Sequence, residues 1–112
     1  TRGLGARETL KPDLHLVTGD DRDEWWWFVE VDLGTESGTA IAHKCRTYHD
    51  YWATGTEQER HGAYPKVLWV VDTKRRVEFI SQTIAKTRTI NQDLFDVTIG
   101  TDATAVLAGG RP

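Results

Sequence analysis

The chain has 112 residues, 28% of them charged and 38% hydrophobic, with a formal net charge of -3. One hydrophobic core serves ~100–150 residues, so this length holds a single domain and excludes a second. The composition is globular rather than disordered, and the net charge excludes coating of nucleic acid by bulk charge while leaving room for a local basic patch or a metal-loaded carboxylate site. No apolar run approaches the ~18 residues that cross a bilayer. The opening TRGLGARETL also lacks the apolar core of a signal peptide. These features predict an intracellular, cytoplasmic protein with no membrane partner. The chain starts without Met, inside what reads as loop, as a fragment of a longer protein would. Cys45 is the single cysteine, which rules out an internal disulfide and reads as a small buried hydrophobe.

Residues 1–10 show no period and are expected to be poorly ordered. Asp13 to Thr18 follows Pro12, whose fixed φ suits a strand entry, and reads as a strand. After the polar turn Gly19 to Asp23, the segment Glu24 to Leu33 is rich in aromatic and β-branched residues and predicts the second strand of a hairpin. Ile41, Cys45, Tyr48 and Trp52 then recur at helical spacing, with Thr35 or Ser37 as N-cap and Gly55 as stop. Gly55 to Pro65 reads as a polar connection. Lys66 to Asp72 is nearly continuously apolar, as central strands covered on both faces are. Thr73 caps a helix that keeps Val77, Ile80 and Ile84 on one face and runs to about Thr87. Leu94 to Ile99 reads as a last strand, and 103–112 as a frayed end. A hairpin followed by alternating helices and strands predicts an α/β fold, a mixed sheet with flanking helices, because parallel strands need crossovers.

The acids stand out within that frame. Residues two apart on a strand share a face, so Glu30 and Asp32 point the same way as Phe28 and Trp26. With a four-residue loop that pairs Gly19 with Glu24, Asp13 faces Glu30 at ~5 Å and Lys11 faces Asp32. Facing carboxylates repel, and the usual compensator is a hard divalent cation such as Mg²⁺. The alternative is a pair of acids at strand ends beside a solvated Glu30.

Lys11-Pro12-Asp13, the hairpin, Glu30-Val31-Asp32 and a following helix with a lysine resemble the PD-(D/E)XK signature of restriction-endonuclease-like nucleases. The stretch Phe28 to Ser37, with Lys44 and Tyr48, is further similar to the replication-relaxation family of actinobacterial and plasmid-borne proteins. That likeness spans about residues 11–80 and takes in Val67 to Thr73 and the Arg75-Arg76 pair. It implies a PD-(D/E)XK core in which Asp13 and Glu30 are Mg²⁺ ligands, with the Val31 carbonyl as a third. Asp32 departs from the pattern, because it stands where an active nuclease has its lysine. Lys44, beside the apolar stripe of the helix, is the replacement able to reach back over the sheet, or else a lysine with its stem packed and its amine in water. The likeness also implies a winged-helix segment upstream.

The candidate catalytic residues are therefore Asp13, Glu30, Asp32 and Lys44, and the candidate nucleic-acid contacts are Lys11, His15, Tyr48, Arg75 and Arg76. Lys74, Arg75 and Arg76 begin a helix, where positive charge opposes the macrodipole; this points either to a phosphate partner or to a solvated helix start. His15 follows Asp13 on the same face and reads as a phosphate contact or as a packed or surface imidazole. Trp25, Trp26 and Trp27 suit core packing more than base stacking. His15, His43, His49 and His61 have no zinc spacing with Cys45. Phosphate-loop and nucleophile-elbow motifs are absent.

Three functions fit these residues. The first is DNA processing in plasmid or mobile-element replication control, with Mg²⁺-dependent phosphodiester hydrolysis. The second is an inactive nuclease-like fold that binds DNA or protein, and the third a module whose Trp-rich strand forms a homodimer face.

Overall fold

In the computed structural model, residues 10–19 and 22–109 are described. Four strands form one sheet in the order β1-β2-β3-β4: β1 (Leu14–Gly19), β2 (Glu24–Val31), β3 (Lys66–Val71) and β4 (Phe95–Ile99). β1 pairs antiparallel with β2, and Gly19 faces Glu24 as the four-residue loop requires. β2–β3 and β3–β4 are parallel, so β3 is internal as its apolar run predicts. The crossovers are α1 (Gly38–Ala53) with α2 (Thr56–His61), and then α3 (Lys74–Lys86). Because strand order follows chain order, crossovers of one hand lay their helices on one face.

That face carries the larger core. Ile41, Cys45 and Tyr48 from α1 and Ile80 and Ile84 from α3 pack on Phe28, Val67, Trp69 and Val71. The Ser37 hydroxyl caps α1 by accepting the Ala40 N–H at 3.1 Å, and Thr73 caps α3 by accepting from Arg76 N–H at 3.1 Å. Capping fixes where each helix starts, and hence which residues look down on the sheet.

Two segments differ from their sequence expectations. The polar connection contains α2, a short helix entered and left through Gly55 (φ 74) and Gly62 (φ 78) in the left-handed region, where a side chain would be strained. Its buried residue is Glu57, which accepts the Tyr51 hydroxyl at 2.6 Å. Beyond β4, Ala103–Gly109 is not frayed but forms α4. Val106 and Leu107 of α4 cover Trp27, Val29 and Leu68 on the opposite sheet face, and Thr18 Oγ1 donates to the Leu107 carbonyl at 2.6 Å. Trp25 and Trp27 belong to that second cluster, while Trp26 faces the other way, as alternation predicts. The expectation for 1–9 and 110–112 lies outside the described residues.

Ile41 is 0% exposed and anchors α1 over β2. Ile41→Ala is expected to cost about 3 kcal/mol in urea unfolding, against about 1 kcal/mol for Ser37→Ala. Equal small losses would mean that α1 is held by its cap and not by its apolar face.

Candidate active site

Phe28, Glu30 and Asp32 project from β2 toward α1 and α3. Glu30 is 3% exposed, and burying a carboxylate is unfavourable unless it is paired. Two residues one helical turn apart on α1 supply the partners. Tyr48 donates its hydroxyl to Glu30 Oε2 at 2.5 Å, and Lys44 donates to Oε1 at 3.3 Å. Lys44 Nζ also lies 2.6 Å from Glu36 Oε2, so the amine bridges two carboxylates. Asp13, one step beyond the β1–β2 ladder, accepts the Val31 N–H through Oδ2 at 2.8 Å. Lys11, Glu30, Lys44 and Tyr48 line one cleft of about 210 Å³.

Burial raises the Glu30 carboxyl above its usual range. The Tyr48 hydrogen bond and the Lys44 charge pull it back, the Asp13 charge pushes it up again, and the net direction is upward. For Lys44, burial acts to lower the amine, but the bond to Glu36 and the charges of Glu30 and Glu36 outweigh it and leave it raised. Lys44 is therefore a fixed cation at neutral pH. The Tyr48 hydroxyl is pushed far up by burial and by its bond to Glu30, which keeps it a donor.

Asp32 has a different fate. Its side chain is 0% exposed, and it receives Arg76 Nε at 2.8 Å and Nη2 at 2.7 Å in a two-pronged pair. Arg76 Nη2 also donates to the Glu36 carbonyl at 3.1 Å, and its guanidinium sits 4.7 Å from the Phe79 ring centroid. Hydrogen bonding to Asp32 raises the already high Arg76 value further. Asp32 is thus neutralised by Arg76, not by Lys11, and is sealed away from the cleft.

The structure brings Asp13, Glu30, Lys44, Lys11 and Tyr48 to one region and leaves Asp32 and Arg76 as a separate pair. Tyr48, one of the candidate nucleic-acid contacts, is 2% exposed and holds Glu30. Arg75 is exposed at the start of α3, and His15 is exposed on β1. Glu36 is the participant that sequence reasoning missed. It precedes the Ser37 cap in a loop, where no periodicity marks it, and the only signal is an acid eight positions before Lys44 in the sequence.

Asp13 and Glu30 offer hard oxygen donors, and the Asp13 charge is felt at Glu30. Among the described residues no group of three or more His, Cys, Asp and Glu is arranged to hold a metal ion. Two carboxylates are fewer donors than a closed all-protein cage needs, and any cation held by this pair would have to keep waters in its shell. The repulsion between the acids is already offset within the chain by Lys44 and Tyr48.

The sequence model of the replication-relaxation family matches residues 1–67, a stretch that holds the hairpin, α1 and α2. No curated protein and no solved structure matches the chain. No described helix is long and apolar enough to cross a membrane.

Two outcomes follow from the charges. Arg76→Ala leaves Asp32 buried and unpaired and is expected to cost about 3 kcal/mol in urea unfolding; a loss near zero would show that the pair does not hold β2 to α3. Because Glu30 is raised above its ordinary value of 4.5, its contribution to stability is fully present below that pH and is lost as pH rises through the raised value. Relative to wild type, Glu30→Gln should therefore gain stability from pH 4.5 up to neutrality, and a gap that stays constant with pH would contradict this.

Proposed function

The chain belongs to the replication-relaxation family, and from that premise we propose that it acts on DNA in plasmid or mobile-element replication control, hydrolysing phosphodiesters with Mg²⁺ held by Asp13 and Glu30. Family membership points to replication-related DNA processing. The observation that carries the finer reading is the placement of Lys44, whose Nζ is 3.3 Å from Glu30 Oε1. A nuclease-like site needs two acids and a nearby lysine, and α1 supplies the lysine whose usual place on β2 is taken by Asp32. The sheet supports a PD-(D/E)XK core as well: an antiparallel hairpin carries the acids, and parallel β3 and β4 follow through helices.

Bound Mg²⁺ would supply Lewis-acid polarisation and neutralise phosphate charge. The chain's own residues do the rest. Lys44 stays protonated, which suits it to stabilise negative charge developing on the phosphate rather than to act as a base. Tyr48 and Glu36 position Glu30 and Lys44 respectively. Lys11 lies at the mouth of the cleft as a further phosphate contact, and exposed Lys74 and Arg75 offer charge to the backbone at the α3 start.

A second reading is a non-catalytic descendant that binds DNA or protein. The Asp32–Arg76 pair favours it, since the position of the expected lysine is committed to holding the fold together.

Supercoiled plasmid incubated with Mg²⁺ or Mn²⁺ separates the two. The hydrolytic reading expects nicking that EDTA abolishes, that Asp13→Ala and Glu30→Ala remove, and that Lys44→Ala slows about a hundredfold. Nicking untouched by Glu30→Ala would refute the cleft as its site. Absent nicking together with DNA binding that Lys11→Ala weakens would favour the second reading.

A further inference from the structure

A strip of rings leads away from the cleft along the same sheet face. Tyr48, which holds Glu30, stands 5.6 Å from Phe28 between ring centroids. Phe28 lies 4.8 Å from His15, His15 lies 6.3 Å from Trp26, and Trp26 stacks on His61 at 4.1 Å with the planes 32° apart. Tyr48 and Phe28 are buried, Trp26 is half-buried, His15 is exposed, and the His61 side chain keeps 25% of its surface open. The strip therefore reaches the surface where β1, β2 and the last residue of α2 meet.

The far end is braced from behind. Glu57 is 5% exposed, and its Oε2 accepts the Tyr51 hydroxyl at 2.6 Å. Its Oε1 is buried without a hydrogen-bond partner and faces His61 Nε2 at 3.5 Å. A buried, unpaired carboxylate oxygen is unfavourable, and its nearest relief is the imidazole that lies on Trp26. Arg60, whose side chain is 63% exposed, lies 3.9 Å from Glu57 Oε2 and adds a cation next to His61 in the chain.

We propose that His15, Trp26 and His61 form a stacking subsite for unpaired bases of single-stranded DNA next to the cleft that Lys11, Glu30 and Lys44 line, an inference that rests on the reading of that cleft as a DNA site. Paired bases have their faces covered by neighbours, whereas every unpaired base offers a π-face to aromatic rings. Trp26 and Glu30 are four residues apart on one strand, or ~13 Å. A strand crossing the cleft thus meets the rings within the ~4 or more nucleotides that single-strand-binding surfaces cover. Arg60 and His61 then lie beside the backbone of the stacked nucleotides. Stacking of this kind tolerates any base, so the subsite selects unpaired DNA and not a sequence.

The test is fluorescence anisotropy of a labelled oligothymidine, free and annealed to its complement, in EDTA. It uses the whole chain and the variants His61→Ala, His15→Ala with His61→Ala, and Trp26→Leu, each checked for fold by circular dichroism. Wild type should bind the single strand more tightly than the duplex. His61→Ala should weaken single-strand binding about tenfold, with a larger loss in the double variant and little change for duplex. Should Trp26→Leu fail to fold, the two histidine variants decide the matter. Wild type that ignores the single strand or prefers the duplex, or histidine variants that bind like wild type, would overturn the proposal. The assay holds no divalent cation, so failure of metal-dependent nicking leaves its outcome unaffected.

Discussion

A carboxylate set into the apolar face of a sheet constrains everything packed above it. Glu30 lies opposite Trp69 in the sheet, on the face that carries Phe28, and it is tolerated there because Tyr48 and Lys44 descend on it from α1. Charged groups are kept inside proteins only when paired and hydrogen-bonded, so the position of α1 along β2 answers two demands at once. The apolar stripe must meet the sheet, and residues 44 and 48 must reach one carboxylate. The Ser37 cap satisfies both by setting the first turn, and Glu36, just before it, keeps the lysine turned toward the cleft.

The neighbouring acid shows how much environment decides. Asp32 shares the face and strand end of Glu30, yet Arg76 from α3 closes on it with two hydrogen bonds, and it ties β2 to the second crossover. Glu30 instead opens on a cleft with Lys11 at its mouth and Asp13 close enough to affect its charge. Two buried carboxylates at the end of β2 thus divide into one closed off by Arg76 and one that borders a cleft.

Much of this was legible in the chain. The period-two run of β2, the helical spacing of Ile41, Cys45 and Tyr48, and the loop length that pairs Gly19 with Glu24 placed the hairpin, α1 and a register that ends with Leu14 opposite Val29, one step short of Asp13. What escaped has physical reasons. α2 is six residues long, all polar apart from their stems, and so carries no apolar period. α4 is built of small residues and becomes visible only through Val106 meeting Trp27 across the sheet. The Arg76–Asp32 pair joins residues 44 positions apart, a distance over which local pattern says nothing. The bond from Tyr48 to Glu30 escaped as well, because a tyrosine on an apolar stripe reads the same whether its hydroxyl meets water or a buried acid.

The central proposal is that Asp13 and Glu30 of this chain together hold a divalent cation. Crystals grown with Mn²⁺ and measured for anomalous scattering test it most directly. The account predicts a peak between the two carboxylates, with Lys44 shifted from Glu30 toward Glu36. A map with no peak there, and Lys44 still bonded to Glu30, would contradict it.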